Sequence, residues 1–228
     1  MNHFRSSALV FAALVLALGH GQTRAVPPSS ANVAQAVVRI PSHGASATVI
    51  ETRQGHTLLL GCAHAFEGSD RQRPIHLDIP ATNAGKPRQA AIRLLDIDYQ
   101  ADLSLMLLSD GPLEYVATVA PAGHVPGKSI LSVGYDEMRW PAQAMAATIL
   151  GTSATITFTR ERPGHGRSGG ALLDADRGWL IGVVQGYEVT GQRRGLYVSH
   201  GAILRFLARQ RPKETPSTPQ LVPRLCPT

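Results

Sequence analysis

The sequence predicts an all-β fold of two lobes followed by one C-terminal helix. Short apolar, β-branched runs recur from Val33 onward with turn signals between them, a spacing that suits a barrel or a sandwich. Glycine (22) and proline (16) are plentiful while aromatic residues make up only 5% of the 228 positions, which favours many turns over a helix bundle. The pattern breaks at Asp110-Gly111-Pro112 and resumes near Val125, so the lobes span about 33–112 and 125–210.

Taken in order, Val37-Val38-Arg39-Ile40 is a β-branched strand, and the small apolar run 45–50 is a second. Residues 51–55 read as a hairpin turn leading into a buried strand at 56–61, which carries Thr57-Leu58-Leu59-Leu60. Strands follow at 75–79, 90–95 and 103–108 in the first lobe. In the second they are predicted at 129–133, 142–150, 153–158, 170–173, 179–185 and 195–198. Asn83-Ala84-Gly85, Pro126-Gly127 and Asp176-Arg177-Gly178 mark turns. The helix is predicted over 202–208, where Ile203, Phe206 and Leu207 share a face. Residues 211–228 are Pro-rich and aperiodic and read as a disordered tail.

The N-terminus reads as a targeting segment. Arg5 precedes an unbroken apolar run of 11 residues, 8–18, and small residues follow up to Ala25. This describes a secretory signal peptide over 1–25, with a mature chain from Val26 sent to the periplasm or out of the cell. The run is short of the roughly 20 residues a membrane span needs, so no stable span is expected after cleavage. The remaining chain, 26–210, is one folded domain. A composition of 43% hydrophobic and 17% charged residues excludes a long disordered chain. The net charge of +6 is scattered, so no nucleic-acid partner is expected. The two cysteines lie in unlike surroundings, Cys62 in an apolar segment and Cys226 in the tail. They read as a buried free thiol and a separate one rather than a disulfide, and without CxxC spacing they do not suggest zinc.

Three segments carry candidate chemistry. Gly61-Cys62-Ala63-His64 ends an apolar strand on a histidine among small residues. Asp102 opens the apolar strand 103–108, where a buried carboxylate needs a partner. Gly164-His165-Gly166-Arg167-Ser168-Gly169-Gly170 surrounds a serine with glycines, which permit a tight turn and leave N–H groups free to converge. Serine needs a neighbouring base to become a nucleophile, a neutral imidazole is such a base, and a buried Asp fixes its tautomer. Backbone N–H groups of Gly166 and Ser168 would then hold a developing oxyanion. Asp96, Asp98, His56 and His165 are competing candidates less well placed for these roles.

In order and in local sequence these segments resemble the trypsin/chymotrypsin-like serine peptidases, above all the compact bacterial branch that includes the HtrA-type protease domain. Gly61-Cys62-Ala63-His64 is similar to the family's Thr-Ala-Ala-His, Ala101-Asp102-Leu103-Ser104-Leu105 to Asp-Ile-Ala-Leu, and Gly166-Arg167-Ser168-Gly169-Gly170-Ala171-Leu172 to Gly-Asp-Ser-Gly-Gly-Pro-Leu. The order His, Asp, Ser is that of chymotrypsin and not that of the α/β-hydrolases, although Gly166-Arg167-Ser168-Gly169-Gly170 also fits their G-x-S-x-G turn. The resemblance covers about 33–210 and implies two six-stranded antiparallel β-barrels with the triad between them. It implies that Val184, Gln185 and Gly186 pair with substrate. Arg162, six residues before Ser168, stands where trypsin-like enzymes carry their selectivity residue; a cation there would suit an acidic side chain, and a solvent-facing Arg is the competing reading. Only 18 residues follow Gln210, too few for a PDZ module.

Arg167 departs from the pattern. In the animal digestive members an Asp at this place accepts an ammonium from a newly cut N-terminus. A guanidinium only donates, so no ordered N-terminus is expected to switch this site on, and the turn 164–170 is expected to hold its own shape or to order on substrate.

The expected function is an exported serine endopeptidase with His64, Asp102 and Ser168 as its triad. It would need neither cofactor nor metal and would act on a protein or peptide through an acyl-enzyme. The alternative is a protease-fold protein that binds peptides or acidic partners without turnover. Deleting residues 212–228 is expected to leave fold and activity nearly intact, because the tail offers little apolar surface. A large fall in melting temperature on deletion, or a Cys62–Cys226 link in a non-reducing peptide map, would contradict this.

Overall fold

The computed structural model describes residues 34–53, 55–69, 73–80 and 87–210. The segment 1–25 predicted as a signal peptide, the predicted turn at 83–85 and the predicted disordered tail 211–228 with Cys226 lie outside the described residues. The chain divides into a main unit, Arg24–Phe206, and a small one, Met1–Thr23 with Leu207–Thr228, of which only 207–210 are described.

The first lobe is a closed antiparallel barrel. Its strands are β1 (Val37–Ile40), β2 (Ala45–Arg53), β3 (His56–Gly61), β4 (Ile75–Ile79), β5 (Arg88–Asp98) and β6 (Leu103–Leu108), hydrogen-bonded in the order β1-β2-β3-β6-β5-β4. β1 closes the ring on β4 at Arg39 opposite Asp78, a pairing reinforced by an ion pair between those side chains. Val38, Ile40, Ala47, Val49, Leu59, Leu77, Met106 and Leu108 fill the interior. In β5, exposed residues alternate with Ala90 and Ile92, the pattern of a strand with one wet face, whereas β6 is buried throughout. β2 outruns its predicted end and reaches Arg53. A register shift between Val49 and Glu51, and another in β5 between Leu94 and Asp96, bend these strands around the ring.

The second lobe contains β7 (Thr118–Val119), β8 (Ile130–Gly134), β9 (Gln143–Ala146), β10 (Ile149–Thr152), β11 (Ile156–Thr159), β12 (Ala171–Asp174), β13 (Trp179–Tyr187) and β14 (Gly195–Ser199). It departs from the expected second closed barrel. The ladder is open, in the order β10-β11-β14-β13-β12-β8-β9, and the two-residue β7, absent from the sequence reading, joins β13 in parallel. The predicted single strand 142–150 is two: its first half pairs with β8, its second with β11. The break falls at Ala147-Thr148, where Thr148 gives its N–H (2.6 Å) and hydroxyl (3.0 Å) to the Glu161 carboxylate. The sheet therefore curls until its two end strands are consecutive in the chain. Helix α1 (His200–Arg209) follows β14 directly and buries Ala202, Ile203 and Phe206.

The lobes meet along β2. Ser46 and Thr48 are buried and face the 166–169 turn: Ser46 N–H donates to Ser168 O (2.8 Å), Ser46 Oγ to Gly166 O (2.9 Å), and Thr48 Oγ1 to Gly169 O (3.3 Å). The connection between lobes is pinned at Asp174. This fully buried carboxylate accepts from His124 Nε2 and Gly127 N–H, both at 2.9 Å, while the edge of the His124 ring stands on Trp179. Asp174→Ala removes the acceptor of these two donors and of Asp176 N–H and Arg177 Nη1, which also reach the carboxylate, both at 3.2 Å. At roughly 1–3 kcal/mol for each such group, it is expected to cost about 3 kcal/mol in denaturant unfolding; a loss below about 0.5 kcal/mol would show that the pin is dispensable.

Candidate active site

Asp102 is placed by the turn between β5 and β6. Asp98 closes that turn by accepting the N–H groups of Gln100 and Ala101 at 2.9 Å each. Asp102 itself takes a left-handed conformation (φ 52°), which short polar side chains tolerate better than most. Because β6 pairs with β3 at Ser104 opposite Gly61, the carboxylate arrives beside the end of β3. There Oδ1 accepts N–H groups from Ala63 and His64 at 2.9 Å each, and the two oxygens lie 3.0 and 2.9 Å from His64 Nδ1. Asp102 is 6% exposed, so these donors replace the water it has lost. The ring must carry its proton on Nδ1 to face a carboxylate, which leaves Nε2 to act outward.

The turn around Ser168 is tight enough to need glycine. Gly166 and Gly169 have φ of 85° and 84°, and a Cβ on Gly169 would lie 2.1 Å from Ser46 O and 3.1 Å from Cys62 N. Its N–H groups divide in two. Those of Arg167, Gly169 and Gly170 are spent on Gly164 O (3.3 Å), Val184 O (2.8 Å) and Arg167 O (2.8 Å). Those of Gly166 and Ser168 have no acceptor among the described residues. The two unpaired donors, one of them the N–H of the half-buried serine itself, lie on either side of Arg167. Ser168 Oγ donates to Gln185 O at 3.4 Å.

His64 Nε2 faces Cys62 Sγ at 3.7 Å, and among the described residues makes no hydrogen bond to Ser168. Cys62 is buried and free, as its apolar segment predicts. Its contact with the histidine escaped the sequence reading, although a spacing of two at a strand end was the available signal. The Asp102 hydrogen bond first, and the Cys62 contact second, raise the His64 pKa from 6.5 to about 10 against the opposing effect of burial.

The remaining predicted residues divide. Val184 is fully buried, with its N–H given to Gly170 O and its O accepting from Gly169, so its backbone is spent on the serine turn. Gln185 presents its carbonyl to Ser168, and its buried Oε1 has no partner among the described residues. Gly186 follows a register shift that separates β13 from β14 locally. Arg162 is exposed, with its guanidinium 4.7 Å from the Tyr187 ring centroid, and His165 Nε2 meets Tyr187 OH at 3.2 Å. Of the competing groups, Asp98 caps the turn after β5, and Asp96, within β5, accepts the N–H of its neighbour Ile97 at Oδ1.

Residues 45–183, which include all three candidate triad positions, match the trypsin-like peptidase domain. The chain belongs to that family. No curated protein matches it at the level of sequence. Among solved structures, the serine endoprotease from Yersinia pestis has a TM-score of 0.61 at 18% identity, covering 82% of this chain and 68% of that one. The HtrA-type protease AlgW, solved with a decapeptide, has a TM-score of 0.60 at 21% identity, covering 80% and 67%. These likenesses establish the HtrA-like fold of this trypsin-like peptidase. No helix among its described residues is long and apolar enough to cross a membrane.

A raised folded-state pKa has a definite sign. The charged His64–Asp102 pair stabilises this peptidase fully below about pH 6.5, and the contribution fades as the pH rises toward about 10. The melting-temperature gap between wild type and His64→Ala is therefore expected to close across that interval; a gap constant with pH would show that the ring is not held in its charged form.

Proposed function

We propose that this trypsin-like peptidase is an exported serine endopeptidase in which Ser168 is the nucleophile, His64 the general base and Asp102 the group that orients it. The observation that carries the proposal is the pair of N–H groups, Gly166 and Ser168, that have no acceptor among the described residues while those of Arg167, Gly169 and Gly170 are all paired. A peptide carbonyl set against these two donors brings its carbon to Ser168 Oγ. As Oγ attacks, its proton passes to His64 Nε2, and the negative charge forming on the carbonyl oxygen is met by donors already in place. The imidazolium, steadied by Asp102, then protonates the departing amine. Water deprotonated by the same Nε2 then attacks the acyl carbon, and as the carbon–Oγ bond breaks the proton passes from Nε2 to Ser168 Oγ, restoring both residues. This cycle requires His64 to exchange Cys62 for Ser168, and Ser168 to leave Gln185 O. The AlgW structure with its decapeptide supports a peptide as substrate, and the apolar run 8–18 supports export to the periplasm or beyond.

A second reading, a protease-fold protein that binds peptides without cleaving them, is favoured by one observation: His64 Nε2 rests on Cys62 and not on Ser168. A fluorophosphonate probe separates the two readings. Covalent labelling at Ser168 is expected, with loss of labelling and a fall in peptide hydrolysis of about four to six powers of ten in Ser168→Ala. No labelling of the wild type, or hydrolysis retained by Ser168→Ala, would exclude the triad. Because the raised His64 pKa keeps the base protonated at neutral pH, the acidic limb of kcat/KM is expected well above pH 6.5 and is expected to move down in Cys62→Ala. An unmoved limb would mean that the thiol does not influence the base.

A further inference from the structure

The mechanism uses two N–H groups of the serine turn but leaves unexplained the fully buried cation between them. Arg167 is 1% exposed. Its Nε and Nη2 donate to the two oxygens of Asp136 at 2.8 and 2.6 Å, and its Nη1 to Ser132 O at 2.8 Å. The side chain runs across Gly134, where a Cβ would lie 2.4 Å from Arg167 Cγ. A planar guanidinium held this way is fixed in direction as well as in place.

The anchor residue belongs to an unusual loop. Asp136 starts a 3-10 turn, Asp136–Met138, in which Glu137 and Met138 both have positive φ, 51° and 56°. Two adjacent non-glycine residues in the left-handed region are unfavourable alone and persist only when their surroundings impose them. Three contacts do so. Arg167 binds Asp136. Glu137 N–H donates to His165 O at 2.7 Å. Arg39, from β1 of the first barrel, donates to Met138 O and lies over the Trp140 ring. Two of the three reach the serine turn, and the third ties the loop to the other lobe. Gly166 packs directly on this loop, since a Cβ there would lie 2.5 Å from Tyr135 O and 2.6 Å from Met138 Cε.

We infer that Asp136 and Arg167 are positioning residues for the oxyanion donors, with the 135–139 loop as the clamp that sets the serine turn; this rests on the function proposed above. Along 166–169 the N–H groups alternate between those with no acceptor among the described residues, Gly166 and Ser168, and those that are paired, Arg167 to Gly164 O and Gly169 to Val184 O. Pulling Arg167 inward onto Asp136 turns the N–H groups on either side, Gly166 and Ser168, toward the open site. To the expectation that the turn 164–170 holds its own shape or orders on substrate, this adds an anchor outside the turn, Asp136, paired with Arg167 within it. A buried ion pair is in general weak support for stability, so its position, between the two donors the chemistry needs, is what assigns this role.

The test compares wild type with Asp136→Asn, Asp136→Ala and Asp136→Glu, each confirmed as folded by circular dichroism. Loss of one complete oxyanion donor costs roughly 100- to 1,000-fold in kcat, so loosening both through Asp136→Ala or Asp136→Asn is expected to lower kcat by about 10- to 100-fold. KM should change less than about threefold, and Ser168 labelling by a fluorophosphonate should slow in parallel with kcat. A peptide boronic acid, which engages the oxyanion donors, should lose affinity where a non-cleavable peptide does not. Asp136→Glu should recover most of the loss. Folded Asp136→Asn and Asp136→Ala with kcat within twofold of wild type, or a loss confined to KM, would overturn the inference while leaving the triad intact. Absence of labelling in the wild type would remove the triad and the inference together.

Discussion

Gly169 has no room for a side chain, and the candidate site follows from that crowding. The serine turn is pressed between Ser46 of the first barrel and Val184 of the second sheet, close enough that a single methyl at Gly169 would overlap a carbonyl oxygen. The same contacts that crowd the turn satisfy its polar groups. Ser46 donates to the carbonyls of Gly166 and Ser168, and Val184 exchanges hydrogen bonds with Gly169 and Gly170. Once these are made, the N–H groups of Gly166 and Ser168 are the two in the 166–170 segment with no acceptor among the described residues. The pair of unpaired donors is thus a remainder, what is left after the neighbouring donors and acceptors of a confined segment have been matched.

Two buried charges of opposite sign frame this turn, and each is stabilised by a different strategy. Asp102 is an anion surrounded by donors from its own lobe, two backbone N–H groups and an imidazole. Arg167 is a cation whose donors reach a carboxylate at the surface and a carbonyl within the sheet. In both cases the backbone shares the work, which fixes each group in one direction. Asp102 directs a ring, and Arg167 directs a stretch of main chain. The thiol of Cys62 adds a third influence, because it occupies the face of His64 that a nucleophile needs.

Much of this was legible from residue order. Strand positions followed from apolar, β-branched runs, and nearly every predicted strand has a counterpart within a few residues. The misses have local causes. The run 142–150 is uniformly strand-like in composition, yet it splits because Glu161, remote in sequence, takes the polar groups of Thr148. The two-residue β7 has too few positions to show any period, and its existence depends on β13 passing alongside. Closure of the first barrel and opening of the second are likewise invisible to periodicity, since ladder order depends on which strands meet.

By itself the sequence determined the all-β character, the glycines of the serine turn, the residue types of a His-Asp-Ser set and their order along the chain, because each is a property of neighbouring residues. Tertiary structure decided the rest. It brought Asp102 to the end of β3, set Cys62 against His64, and buried Arg167 on Asp136, 31 residues away. The physical reason is that a side chain's charge state and direction depend on which groups replace its lost water. For these residues the replacements come from strands and loops that are adjacent only after the lobes have closed on one another.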